Sequence, residues 1–184
     1  MHFSGGGTKE GDMLKAAGSV LVISATVLLG LRKAEMLHDE YAQMQYVRQL
    51  FYWVQSEIRY AGSPLGEIFS YIGKSAREPY GTWLNGLGTR LEKRDGGTFE
   101  EIWKTSIDES LRGCALSGEE LLKLKELGER LGLADVTMQV KILELYLTRL
   151  ELSMEEMQGE MKSKVRLCHC LGIMSGILIV ILLL

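Results

Sequence analysis

Two apolar runs at opposite ends of the chain, Met13 to Leu31 and Leu167 to Leu184, bracket a polar middle, and this layout restricts the fold more than any single residue does. A bilayer core takes about 20 apolar residues of helix, and the second run contains no Asp, Glu, Lys or Arg. Both runs read as transmembrane helices. The division also accounts for the composition: a mean hydropathy of +0.04 is high for a chain with 24% charged residues, and the excess apolar content sits in the two runs. A net charge of -3 and a pI near 5.7 offer no basic face for nucleic acid. The three cysteines are Cys114 alone and the close pair Cys168 and Cys170 inside the second run. They give neither a disulfide framework nor zinc spacing, which fits a reducing compartment.

The first run is long for the apolar core of a signal peptide, and its exit Leu28-Leu29-Gly30-Leu31-Arg32-Lys33 lacks an Ala-x-Ala cleavage pattern. An uncleaved anchor is expected. Arg32 and Lys33 follow the first run and Lys162, Lys164 and Arg166 precede the second, against Lys9 and Lys15 on the far side. Positive flanks face the cytoplasm, so residues 32–166 are expected there and both termini outside. Residues 1–12 are polar, Gly-rich and without helical period. Because Lys9-Glu10-Gly11 can be encoded as AAG-GAG-GGN, a ribosome-binding sequence, translation is expected to start at Met13.

The middle segment shows helical spacing throughout. Leu37, Tyr41, Met44, Val47, Phe51, Val54 and Ile58 form one stripe of three/four spacing that Gly62 ends. Ser63-Pro64 reads as an N-cap followed by proline at the first helical position, opening a helix over Leu65, Ile68, Phe69 and Ile72. Pro79 opens the next, with Trp83, Leu84, Leu87 and Leu91; Asp95-Gly96-Gly97 is a turn. Thr98 with Glu101, and Ser117 with Glu120, have capping-box spacing ahead of two further helices. The first carries Phe99, Ile102, Trp103, Ile107 and Leu111, and the second Leu121, Leu122, Leu124, Leu127 and Leu131. From Asp135 the positions Val136, Val140, Leu143, Leu147, Leu150, Met154, Met157 and Met161 alternate four and three. Such a heptad seam needs a partner helix, and the first long helix is expected to supply it in antiparallel sense. The expectation is an all-α fold: a bundle of about six helices between an N-terminal and a C-terminal transmembrane helix.

Several segments then resemble a known family. Met13-Leu14-Lys15, Arg48-Gln49-Leu50 leading to Glu57-Ile58-Arg59-Tyr60, and Ser63-Pro64-Leu65 are followed by Glu101-Ile102-Trp103 and by Leu127-Gly128-Glu129-Arg130-Leu131-Gly132, with Asp135 and Gln139 beyond. Their order and spacing, with the two flanking runs, resemble the stage III sporulation protein AB family over nearly all of residues 13–184. That family is similar to the cytoplasmic domain of type II secretion platform proteins (the F component), a six-helix bundle. The resemblance implies a non-enzymatic subunit of the mother-cell complex that builds a channel toward the forespore in endospore formation. It implies as partners the membrane, a secretion-type ATPase (stage III sporulation protein AA) and the other membrane subunits of that operon.

The residues themselves suggest no chemistry. Cys168-His169-Cys170 is a soft-ligand cluster, but neighbours on a helix point about 100° apart and cannot converge on one ion. Packing in the span is expected, with S-acylation as the alternative. Cys114 is expected as a small buried filler. Glu100-Glu101, Glu119-Glu120 and Glu155-Glu156 fall in first turns or on polar faces, which suits helix dipoles and solubility rather than paired acid–base work. Gly5-Gly6-Gly7 and Gly96-Gly97 lack phosphate-loop spacing. No catalytic, metal or cofactor residue is expected, and no nucleic acid or small-molecule substrate.

Two candidate surfaces remain. Glu57, Arg59, Tyr60 and Ser63 gather at the end of the first long helix, where a partner could reach them; the alternative is that Tyr60 packs in the core while Glu57 and Arg59 bridge neighbouring helices. Gly172 and Gly176 form a Gly-x-x-x-Gly face that lets another span approach closely. A scaffold subunit explains the caps, seams and paired anchors. A two-span sensor that transmits helix motion is the alternative, although neither end has residues enough for an outer ligand domain. An enzyme fits least.

Overall fold

The computed structural model describes the backbone of residues 7–93 and 97–183, and the side chains of residues 28, 32, 35–93 and 97–163. Its helices are α1 (Gly7–Tyr60), α2 (Leu65–Gly73), α3 (Tyr80–Lys93), α4 (Phe99–Ser110), α5 (Gly118–Leu131) and α6 (Val136–Leu183), with no strand among the described residues. The chain divides into two compact units, Met1–His38 and Asp39–Leu184. The first holds the start of α1, which already runs from Gly7, where the sequence shows no helical period. The second holds the bundle. Apart from the exposed Leu28, the runs 13–31 and 167–184, with Gly172, Gly176 and Cys168-His169-Cys170, fall outside the residues whose side chains are described. Among the described residues no helix is long and apolar enough to cross a membrane.

Local signals set most boundaries. Gly62 takes φ +62°, a left-handed conformation that ends α1 after Tyr60. At α4 the capping box is complete: the Glu101 amide donates to Thr98 Oγ1 at 3.3 Å and the Thr98 amide donates to Glu101 Oε2 at 2.8 Å. The Thr98 amide and, second, the Thr98 hydroxyl, which donates to the same Oε2 at 3.0 Å, hold the exposed Glu101 carboxyl below its ordinary pKa. Two other cap assignments are corrected. Helix α2 starts at Leu65 with Pro64 in the cap position and no side-chain cap, so Ser63 does not cap it. At α5 Ser117 accepts from the Glu120 amide at 3.4 Å, but the return bond is absent. The Ser117 amide donates instead to Glu40 Oε1 of α1, at 3.0 Å. A residue 77 positions away thus completes the cap, and Glu120 is free to turn inward, where it is only 5% exposed.

The core lies where the helical stripes meet. Met44, Val47, Phe51, Val54 and Ile58 of α1 are buried with Leu143, Leu147, Leu150 and Met154 of α6. Polar contacts along their border show the antiparallel sense: Tyr41 with Gln158, Tyr52 with Glu151 at 3.1 Å, and Gln55 Nε2 donating to the Val140 carbonyl at 3.2 Å. The expected pairing of the two long helices is therefore present. Trp83 of α3 and Trp103 of α4 meet edge to face at 5.3 Å, and Phe69, Phe51 and Phe99 surround them. Both indoles find partners. Trp83 Nε1 donates to Ser106 Oγ at 3.0 Å and Trp103 Nε1 donates to the Leu124 carbonyl at 2.8 Å, so burying these rings leaves no donor unmet. Gly128 lets α5 lie directly on the Trp103 ring, since a Cβ there would overlap it.

Two residues of the predicted stripes stand outside this core. Leu122 of α5 and Val136 of α6 are exposed, whereas their spacing assigned them to buried faces. Leu122 lies next to Leu121 at the border of a stripe already filled by Leu124, Leu127 and Leu131. Val136 is the first residue of α6, at the open end of the bundle.

Candidate functional site

The helix ends fall into two groups. At one pole the chain enters the bundle near Asp39 and leaves beyond Gln158, beside the α4–α5 turn. At the other lie the end of α1, the starts of α2 and α4, the end of α3 and the α5–α6 turn. Gly66 against Leu91 and Gly132 against Phe99 bring the elements of this second, far pole together. The contact of Gln55 with Val140 places Arg59 and Val136, one turn further on each helix, at the same end.

All four predicted residues of this region lie at the far pole, with unequal roles. Tyr60 is 80% exposed, so the alternative that it packs in the core is excluded. Arg59 is exposed as well, and among the described residues neither it nor Glu57 forms an ion pair with a neighbouring helix. Glu57 is half-buried and accepts from Trp53 Nε1 one turn back at 3.3 Å, which fixes its carboxylate along α1. Ser63 is half-buried in the turn. Arg59 and Tyr60 therefore form the accessible part.

Sequence reasoning missed the apolar half of this pole. Leu133, in the α5–α6 turn, is 94% exposed, and Val136 and Met138 are exposed beside it on α6. A leucine that open, in a turn between two well-packed helices, contributes little to folding; Val136 and Met138 share its end of the bundle but lie about 200° apart around α6. The signal was present in the sequence: Leu133 stands between Gly132 and Ala134-Asp135, outside any stripe.

The pole at the chain's entry and exit carries a shallow cleft of about 660 Å³ lined by Asp39, Gln43, Glu78, Arg112 and Cys114, among others. Cys114 is half-buried: it packs against the core, as expected of a small filler, and also lines this cleft. Tyr80 donates from its hydroxyl to Gln43 Oε1 at 2.8 Å, and burial, with Cys114 nearby, pushes its pKa up. Desolvation does the same for Tyr146, aided by the Glu120 carboxylate. Both phenols stay neutral packing elements. Glu120 shares Lys123 with Glu119, each carboxylate oxygen 2.8 Å from the ammonium. Its own Oε2 has no partner; Glu120 lies in the first turn of α5, as expected, but turned inward. Among the described residues no group of His, Cys, Asp and Glu is placed to hold a metal ion.

Comparison with known proteins agrees with the bundle and extends beyond it. The family model for stage III sporulation protein AB matches residues 15–184. Stage III sporulation protein AB of Bacillus subtilis (strain 168) is 28% identical over 171 residues, covering 93% of this chain and 99% of that protein. A solved structure of stage III sporulation protein AB superposes with a TM-score of 0.60 at 26% identity, covering 67% of this chain and 97% of that one. With a match that runs from Lys15 to the last residue, the chain belongs to the stage III sporulation protein AB family.

Proposed function

We propose that the protein is a membrane-anchored platform subunit, without catalysis of its own, of a secretion-like complex that the mother cell assembles for endospore formation. Family membership supports the sporulation role. The observation that carries the rest is the antiparallel pairing of α1 and α6, through which the chain enters and leaves the bundle at one end. The apolar run 13–31 precedes that entry and the run 167–184 follows that exit. Two anchors of this kind hold one pole toward the bilayer and turn the far pole, with Arg59, Tyr60, Leu133 and Val136, toward the cytoplasm. A secretion-type ATPase, stage III sporulation protein AA, is the partner assigned to that pole, and the other membrane subunits of the operon pack against the spans through faces such as Gly172 and Gly176. The bundle then corresponds to the cytoplasmic domain of type II secretion F components.

The geometry suits a docking role. An exposed tyrosine and arginine beside open leucine and valine have the composition of an interface centre, and a regulatory contact of this kind can bury under ~1,200 Å². Topology tests the reading first. A single cysteine introduced as Tyr60→Cys is expected to resist membrane-impermeant thiol reagents in intact cells and to react after lysis. Reaction in intact cells reverses the orientation, and normal spore formation after deletion of the gene removes the assignment.

A further inference from the structure

Helix α6 carries a second heptad seam. Met138, Ile142, Leu145, Arg149, Leu152 and Glu156 repeat the four/three spacing two residues out of step with the seam that packs on α1. That offset is about 200° around the helix, so the second seam faces the other way. It borders a groove between α5 and α6 whose lining includes Glu126, Arg130, Ile142, Leu145 and Arg149. Leu145 is 46% and Leu152 55% exposed. Lys123 Nζ donates to Ser153 Oγ across the two helices at 3.0 Å, and Leu122 and Leu152, each adjacent in sequence to one of that pair, are exposed.

We propose that this groove docks one amphipathic helix of a different protein chain, with apolar side chains at heptad spacing and a carboxylate that meets Arg149. Charge selects this occupant. Arg149 occupies a core position of the seam, and neither it nor Arg130 has an ion pair among the described residues, although Glu126 lines the same groove. Covering a guanidinium without an anion is costly, so the occupant must bring one. A second copy of this chain carries Glu156 in the same seam but does not bring it to Arg149: in parallel register Arg149 meets Arg149, and in heptad-matched antiparallel registers it meets Met138, Leu145 or Leu152. The groove is slight, about 30 Å³, so an occupant lies along it rather than in it, and the charged Glu126, Arg130 and Arg149 around it suit a patterned helix better than lipid tails.

The test uses the full-length protein in membranes and two synthetic helical peptides of about 21 residues, leucine at heptad positions, with glutamate or lysine at the site facing Arg149. The glutamate peptide is expected to bind at least about tenfold tighter, and Arg149→Glu to invert the preference. A preference that Arg149→Glu leaves unchanged overturns the proposal. In sporulating cells, a photo-crosslinker in place of Leu145 is expected to join a heptad-patterned segment containing Asp or Glu in another protein, and the adduct to vanish with Arg149→Glu. An adduct with a second copy, with lipid alone, or none at all overturns it as well. Because Leu145 and Arg149 lie outside the packed seam, unchanged thermal unfolding of the variants accompanies either outcome.

Discussion

The two seams of α6 have the same spacing and opposite fates. Leu143, Leu147, Leu150 and Met154 on the inner seam are nearly inaccessible, because the stripe of α1 from Met44 to Ile58 covers them. Met138, Leu145 and Leu152 on the outer seam remain open to solvent. A heptad period states that a face wants a partner; it does not state whether that partner is in the same chain. The inner seam therefore holds the bundle together, and the outer one is available for assembly. The same division separates the far pole, with its open Leu133, from the indole-filled centre.

Substitutions should separate the two classes by stability. Leu147→Ala on the inner seam is expected to lower unfolding free energy by about 2–5 kcal/mol, the range for cavities in packed cores, whereas Leu145→Ala on the outer seam should stay within about 0.5 kcal/mol of wild type. Denaturant unfolding of both variants measures it, and equal losses would erase the distinction. Gly128→Ala comes next. A methyl group at that position overlaps the Trp103 ring, so α5 must lift from it, at a cost of about 1–3 kcal/mol and with a change in tryptophan fluorescence.

The caps give smaller effects. Thr98→Ala removes the bond to the Glu101 amide and is expected to cost about 1 kcal/mol. The pH dependence follows from the carboxylates. Glu101 and Glu119 have folded pKa values below their ordinary ones, Glu101 from its bonds to Thr98 and Glu119 from its bond to Lys123. Their stabilisation is present above the unfolded carboxylate range near pH ~4.3 and disappears as pH falls through the lower folded values. Denaturant midpoints should thus fall on acidification, and Glu101→Gln should flatten part of that slope. An unaltered slope in this variant would show that the capping bond does not persist in solution.

Much of this arrangement was legible in the residues. The stripe from Met44 to Ile58, the indole-bearing helices, the complete Thr98–Glu101 box and the stop at Gly62 follow from local spacing, because each depends on neighbours a few positions away. The failures share a cause. Ser117 and Glu120 have the same spacing as Thr98 and Glu101, but Glu40 occupies the Ser117 amide from another helix, and no local pattern contains that contact. Leu122 and Val136 fit apolar stripes whose width depends on which helix covers them. At the far pole the polar residues were found because they cluster in sequence, whereas Leu133, Val136 and Met138 join them only through the antiparallel return of α6.

In the function we propose, the far pole, and not the core or the cleft at the entry pole, engages a secretion-type ATPase. Co-purification of that ATPase from membranes of sporulating cells, with the double variant Tyr60→Ala and Leu133→Asp set against wild type, tests it most directly. Both positions are exposed, so protein level and thermal unfolding should be unchanged. The account predicts loss of the ATPase from the purified complex and a failure of spore formation; retention of the ATPase at the wild-type level, with normal sporulation, would contradict it.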